Sequence, residues 1–191
     1  MGDRGADLRT LTEQQARDWV IENLSSSFDF TLEVEATDPL SGDTYRLDAL
    51  SVCKSTNYIV GWEFKKSFLF KKEFAHALRQ AIYYRHSRIN DQRMLQFAGK
   101  QPDICVVCPD WDGLHASSRI DYEKTAEGMR LLVSHFRVGV FQKWEKPEKL
   151  VIKIGEQAVW HSDKGWNGNA AGVLKGKRPT ASSKRFDPSS E

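Results

Sequence analysis

The chain lacks most of the features that would let something other than a packed core hold it together. It has three cysteines in 191 residues. So few, and an odd number, give no basis for a disulfide framework and suit a reducing, cytoplasmic setting. Six prolines and thirteen glycines fall far short of a collagen-like or low-complexity chain. No run of roughly 18 apolar residues is present, so no membrane span is expected. The first ten residues carry Asp3, Arg4, Asp7 and Arg9, which does not match a signal peptide. A dominant charge is also missing: 28 Lys+Arg stand against 26 Asp+Glu, for a net charge of +2. That balance neither demands nor excludes a nucleic-acid partner, since a polyanion binder can still gather its cations on one face. There is no glycine-rich phosphate loop and no nucleophile elbow, so neither nucleotide-driven nor serine-hydrolase chemistry has a motif to rest on.

What is there is an ordinary globular composition, 40% hydrophobic and 28% charged. The length suits one domain. We expect it over residues 1–164, followed by a flexible basic tail at 165–191. That tail is marked by Gly, Ser and Pro and by Lys175, Lys177, Arg178, Lys184 and Arg185.

Residues 11–24 read as a helix, with Thr12 and Gln15 placed for a capping box and Ala16, Val20 and Leu24 forming an apolar stripe. Residues 28–36 alternate, with Phe28, Phe30, Leu32, Val34 and Ala36 expected on one face. Residues 45–53 and 58–65 read as two further strands separated by the short loop Lys54–Asn57. Together these strands predict an antiparallel meander. A helix follows at 71–88, then a buried strand at 103–108, a helix near 121–136 and a strand at 138–142. A terminal hairpin is expected at 150–154 and 158–161. The order implies an α/β fold with a mixed sheet flanked by helices.

The meander carries the chemistry. If Lys54–Asn57 closes a hairpin with Cys53 facing Tyr58, then Asp48 falls directly opposite Glu63. Two opposed carboxylates repel, and a divalent cation between them turns that repulsion into attraction. Lys65 lies two residues beyond Glu63 and shares its face. Gly61, two residues before Glu63, is expected to leave space on that face for a ligand or a backbone. Phe64 points into the core, with its carbonyl near the carboxylates as an extra metal ligand. Two acids and an amine at one spot suit metal-assisted phosphodiester hydrolysis.

Asp48 followed by Glu63-Phe64-Lys65, on adjacent strands between two helices, resembles the PD-(D/E)XK nuclease superfamily. The next helix carries Gln80-Ala81-Ile82-Tyr83-Tyr84, similar to the Gln-x-x-x-Tyr motif of its RecB-like members. The resemblance covers residues 11–108. No proline precedes the first acid, which reads Arg46-Leu47-Asp48. It implies a restriction-endonuclease-like fold and a Mg²⁺- or Mn²⁺-dependent nuclease acting on nucleic acid, with DNA expected. Asp48, Glu63 and the Phe64 carbonyl would hold the metal. Lys65 would serve the water and the transition-state charge, and Gln80 and Tyr84 would organise the site. A third acid is expected from Glu13, read as facing inward on its helix, or from Glu33.

Lys65, Lys66, Lys71, Lys72, Arg79, Arg85 and Arg88 suggest a phosphate track along the second helix. Cutting both strands of a duplex would suit a homodimer. Work inside a larger recombination or defence complex would suit so small a catalytic domain. The rival reading is a nuclease-like module that grips nucleic acid or protein without cutting. Cys105-x-x-Cys108 is set aside as a zinc site, because on a strand the two sulfurs face opposite sides.

Overall fold

A computed structural model describes residues 8–66, 71–110, 119–145 and 148–167. Its elements are α1 (Glu13–Leu24), β1 (Phe28–Thr37), β2 (Thr44–Cys53), β3 (Ile59–Phe64), α2 (Lys71–His86), β4 (Arg88–Ile89), β5 (Ile104–Cys108), α3 (Arg119–Ser134), β6 (Val138–Glu145), β7 (Glu148–Ile154), β8 (Gln157–His161) and β9 (Gly165–Trp166). The strands form one mixed sheet in the order β4-β1-β2-β3-β5-β6-β7-β8-β9. The fold is therefore α/β. Among the described residues no helix is long and apolar enough to cross a membrane.

Local chemistry accounts for the early elements. The Thr12 hydroxyl accepts from the Gln15 N–H at 3.2 Å, and the Gln15 side chain accepts from the Thr12 N–H at 2.9 Å. This reciprocal cap opens α1, which then buries Ala16, Trp19, Val20 and Leu24. The β2–β3 hairpin closes through the Cys53 N–H on the Tyr58 carbonyl at 2.9 Å. Asn57 takes the left-handed conformation at φ 58, which asparagine tolerates in turns. All six residues of β3 are buried, as a strand covered on both faces requires. From β3 the chain crosses through α2 to β5 and then through α3 to β6, both steps parallel. Beyond β6 it returns antiparallel to the end of the described chain.

The sheet separates two cores. On the α1 side lie Trp19, Val20, Phe28, Trp62, Phe64, Phe141 and Trp160; on the α2 side lie Phe74, Ala77, Ala81, Tyr84, Cys105, Val107 and Val140. The expectation that β1 keeps one apolar face is corrected here. Phe28, Phe30 and Leu32 pack on the α1 side, whereas Val34 and Ala36 belong to the α2-side core. The change falls at Glu33, whose φ of 50 inverts the local pleat. The pairing of β1 with β2 skips only the Glu33–Asp48 step, between Leu32↔Ala49 and Val34↔Leu47. A brace holds the kink. The Arg93 guanidinium donates to the Leu32 carbonyl at 3.0 Å and to the Glu33 carbonyl at 2.9 Å. Asp91 accepts from the Glu35 N–H at 3.2 Å and grips Arg93 at 2.6 Å.

Two other expectations change. The tail drawn from Gly165 starts inside the fold, because Gly165 and Trp166 pair with β8. The Trp166 ring meets Phe28 at 6.4 Å and Tyr58 at 5.3 Å, so aromatic burial captures a segment whose composition reads as loop. The basic residues of the tail lie outside the described residues. Helix α2 also ends at His86, two residues early, because Arg88 and Ile89 pair with Thr37 and Ala36.

Candidate metal and phosphodiester site

The β2–β3 register is the expected one, running from Val52↔Ile59 to Ala49↔Trp62. One step further a side chain replaces the backbone. Asp48 Oδ2 accepts the Phe64 N–H at 2.7 Å. This bond fixes the Asp48 carboxylate at the end of the ladder, beside Glu63. Glu63 itself has no exposed surface. The Lys65 ammonium lies 2.5 Å from Glu63 Oε1, and the Tyr84 hydroxyl reaches the same carboxylate from α2. Neither approach is aligned as a hydrogen bond, and both Glu63 oxygens stay buried with no directed donor among the described residues.

The electrostatics follow from this crowding. Burial, reinforced by the Asp48 charge, pushes the Glu63 carboxyl up to about 7. Burial also raises Asp48, against the pull of the Phe64 N–H and the Lys65 charge. Burial alone would lower the Lys65 ammonium. The contact with Glu63 and the charges of Glu63, Asp48 and Glu13 outweigh it, and the ammonium is raised. Tyr84 is held well above the usual phenol range by burial and by the two carboxylates.

Four of the residues singled out from sequence, Asp48, Glu63, Lys65 and Tyr84, are thus brought together. Phe64 packs its ring on Trp62 at 5.8 Å and contributes its backbone to the site. Gln80 is half-buried one turn before Tyr84, and its amide oxygen is buried with no hydrogen-bond partner among the described residues. Gly61 does not make room for a ligand. A Cβ there would lie 2.6 Å from Cys105 Sγ and 3.3 Å from Leu47 Cδ2, so its missing side chain lets β5 pack. Glu13 is exposed rather than turned inward, because it sits in the first turn of α1, at the rim. Glu13 and Glu33 nevertheless both line one cavity of about 310 Å³ with Asp48, Phe64, Arg17 and Arg46. Of the expected phosphate track, Lys66, Lys72, Arg79 and Arg88 are exposed, whereas Arg85 is buried and contacts Gln101 at 3.4 Å. The Lys71 side chain lies outside the described residues.

No group of three or more Asp, Glu, His or Cys side chains forms a metal cluster among the described residues. The site offers a carboxylate pair instead. Glu63 brings two buried oxygens, and Asp48, half-buried, has Oδ2 on the Phe64 N–H; two such carboxylates fit a hard divalent cation that keeps several waters, so the residues present fit Mg²⁺ or Mn²⁺. The Arg17–Arg46 wall and the Asp91–Arg93 brace have no sequence signal of their own, since each joins segments far apart in the chain. No family model, curated protein or solved structure matches this chain.

Proposed function

We propose that the protein is a metal-dependent nuclease of the PD-(D/E)XK type, built on a restriction-endonuclease-like sheet and hydrolysing phosphodiester bonds of nucleic acid, with DNA the substrate to test first. The observation that carries this reading is the wholly buried Glu63 carboxylate, beside Asp48 and under Lys65, with no directed donor. Burying a carboxylate costs free energy that the Lys65 contact offsets only in part, and acids perturbed in this way gather at functional sites. Asp48 and Glu63 would hold Mg²⁺ or Mn²⁺, with the Phe64 carbonyl as an added oxygen. The bound ion would supply charge neutralisation at the phosphate and a more acidic water. The chain's own groups do the rest. Lys65 orients the attacking water and faces the negative charge that grows as the new P–O bond forms and the old one breaks. The raised Glu63 carboxyl must lose its proton before it can bind a cation, so metal affinity rises with pH through about 7. The Tyr84 hydroxyl abuts the Glu63 carboxylate from α2, and Gln80 stands on the same helix face with an amide oxygen that is unpaired among the described residues.

The test is cleavage of DNA with Mg²⁺ or Mn²⁺ by purified wild type, Asp48→Ala and Lys65→Ala. Each variant is expected to lose at least about 100-fold in rate, the scale of one electrostatic or acid–base group. Undiminished cleavage in either would end the assignment. A folded wild type that binds no Mn²⁺ in calorimetry and cuts nothing would favour the non-catalytic binding module.

A further inference from the structure

Arg85 is 8% exposed and has no acidic partner among the described residues. Its guanidinium makes one contact, from Nη1 to the Gln101 amide oxygen at 3.4 Å, and Nε is buried with no hydrogen-bond partner there. Buried charges are ordinarily paired, because an unpaired one gives up its hydration with nothing in exchange. The surroundings add a second cation rather than an anion. The Arg137 charge acts on Arg85, and the charges of both arginines act on His86. The Arg137 side chain is half-buried and takes no hydrogen-bond or ion-pair partner among the described residues. We infer that Arg85 and Arg137, with Gln101 and His86 beside them, form a binding site for a phosphate group. This site is separate from the carboxylate pair and does not depend on the nuclease reading.

Chain topology builds the site. Helix α2 ends at His86, Gln101 leads into β5, and Arg137 leads into β6. The Arg137 carbonyl accepts the Cys105 N–H at 3.1 Å, and the Gln101 amide donates to the His86 carbonyl at 2.6 Å. These bonds tie three segments together at the start of two parallel strands. Glu63 lies toward the other end, because β3 runs parallel to β5, with Val60 opposite Ile104 and Phe64 opposite Cys108. The nearby acids are already engaged. Asp103, whose charge reaches Arg85, accepts the Ile59 N–H at 2.8 Å. Asp38, whose charge reaches His86, accepts the Leu40 N–H at 2.8 Å. Burial pushes the Cys105 thiol well above its usual range, so it stays neutral beside Arg85. Nor does the end of α2 occupy Arg85, since Ser87 and Gln101 take the Tyr83, Tyr84 and His86 carbonyls. Free phosphate or a phosphate monoester fits what remains. It brings close to two negative charges and several acceptor oxygens to two guanidinium charges, whose forks pair with such oxygens. Burial and the arginine charges lower His86, so at neutral pH its imidazole is uncharged and can donate a hydrogen bond. A carboxylate brings one charge and two oxygens, and leaves one arginine unmatched.

The experiment uses the full chain in chelator without divalent cations, so that the carboxylate pair cannot recruit phosphate through a metal. Thermal melts are recorded with inorganic phosphate, a 5′-mononucleotide or acetate, each against chloride at matched ionic strength. Amide shifts in a proton–nitrogen spectrum are followed in the same titrations. The variants are R137A and R85M, the second keeping an apolar stem of similar reach without the charge. Phosphate should raise the wild-type melting temperature saturably, and it should shift the Gln101 and Arg137 amides. R137A should bind at least about 10-fold more weakly, the loss of one charge-assisted contact. R85M should melt above wild type without phosphate and lose the response. If R85M does not fold, R137A decides alone. Tighter binding of the mononucleotide than of phosphate would uphold the site and assign it to a nucleotide; equal or weaker binding would uphold it and assign it to free phosphate. No response beyond chloride would overturn the inference. So would an equal response to acetate, an unchanged response in R137A, or shifts confined to Phe64 and Lys65.

Discussion

On the α1 side of the sheet, Trp62, Phe64, Phe28, Phe141 and Trp160 pack ring against ring, and every one is at most 2% exposed. On the α2 side the core is aliphatic, with Leu47, Leu50 and Ile59 beside Phe74, and small residues, Gly61, Ala77, Ala81 and Cys105, are set among them. Small side chains let α2 approach closely enough for the Tyr84 hydroxyl to meet Glu63. The first face uses volume for cohesion. The second gives up volume and shelters a charge. Buried apolar area stabilises by about 25 cal/mol per Å², whereas a buried carboxylate without directed donors costs free energy. The contrast teaches where stability is stored and where it is spent: truncating an aromatic on the first face should destabilise, whereas neutralising the sheltered carboxylate on the second should stabilise.

The largest effect is expected on the aromatic face. Trp62→Ala removes a fully buried indole that stacks on Phe64 and donates from Nε1 to the Ser51 hydroxyl at 2.8 Å. Chemical denaturation should show a loss of about 3–5 kcal/mol. A loss under about 1 kcal/mol would mean that this face is not the main source of cohesion.

Glu63→Gln should move stability the other way. The native carboxyl, raised to about 7, keeps its proton between the unfolded value near 4.5 and 7, where the unfolded chain has lost it. Native protein then binds more protons, so this group's contribution falls as pH rises across that window. The penalty is complete above about 7, at roughly 3 kcal/mol for a group this buried. Metal-free E63Q should therefore exceed wild type in melting temperature at pH 8 and match it at pH 4. Added Mn²⁺ should raise the wild-type melting temperature at pH 8 and leave E63Q unmoved. Equal melting profiles from pH 4 to pH 8 would show that the charge is not strained.

A smaller effect tests close approach on the α2 side. Gly61→Ala places a methyl 2.6 Å from Cys105 Sγ and should cost about 1–3 kcal/mol by overpacking. Cys105→Ala in the same chain should recover part of that loss. Purely additive effects in the double-mutant cycle would mean that the two positions do not share the space.

How much of this contrast can be read from the sequence depends on the range of the interactions. The Asp48–Glu63 alignment is legible, because a short loop fixes the hairpin register and everything that register needs lies within twenty residues. The α1 start is legible for the same reason, since Thr12 and Gln15 carry both halves of the cap. The β1 kink is hidden. Phe28, Phe30, Leu32, Val34 and Ala36 alternate without a break, yet Glu33 is turned by a guanidinium sixty residues away. Trp166 is hidden too, because a two-residue strand has no period. The Glu13 position follows from where the helix meets the edge of the sheet, which periodicity cannot report. Gly61 shows the opposite error: its face is read correctly and its neighbour is not, because Cys105 arrives from a parallel strand across a helical crossover.

The smallest expected change in stability belongs to Arg93, and it sharpens the contrast at the point where β1 passes from one core to the other. The side chain is 56% exposed and buries little. Its hydrogen bonds to the Leu32 and Glu33 carbonyls, with Asp91 behind it, hold Glu33 in a left-handed conformation that a non-glycine residue adopts only under constraint. Arg93→Ala should lower stability by about 1 kcal/mol, the net worth of ordinary hydrogen bonds. Its effect on the site should be larger in proportion, because the kink lies at the skipped step opposite Asp48. Once β1 relaxes, Asp48 no longer keeps its place on the Phe64 N–H. The Phe64 amide resonance in a proton–nitrogen spectrum should shift, and Mn²⁺ affinity should fall several-fold while the fold persists. Arg93→Lys keeps the charge but loses the fork, so it should restore stability more fully than metal affinity. If the Phe64 amide stays where it is in R93A, the kink is local to β1 and the passage between the two cores does not govern the acid pair.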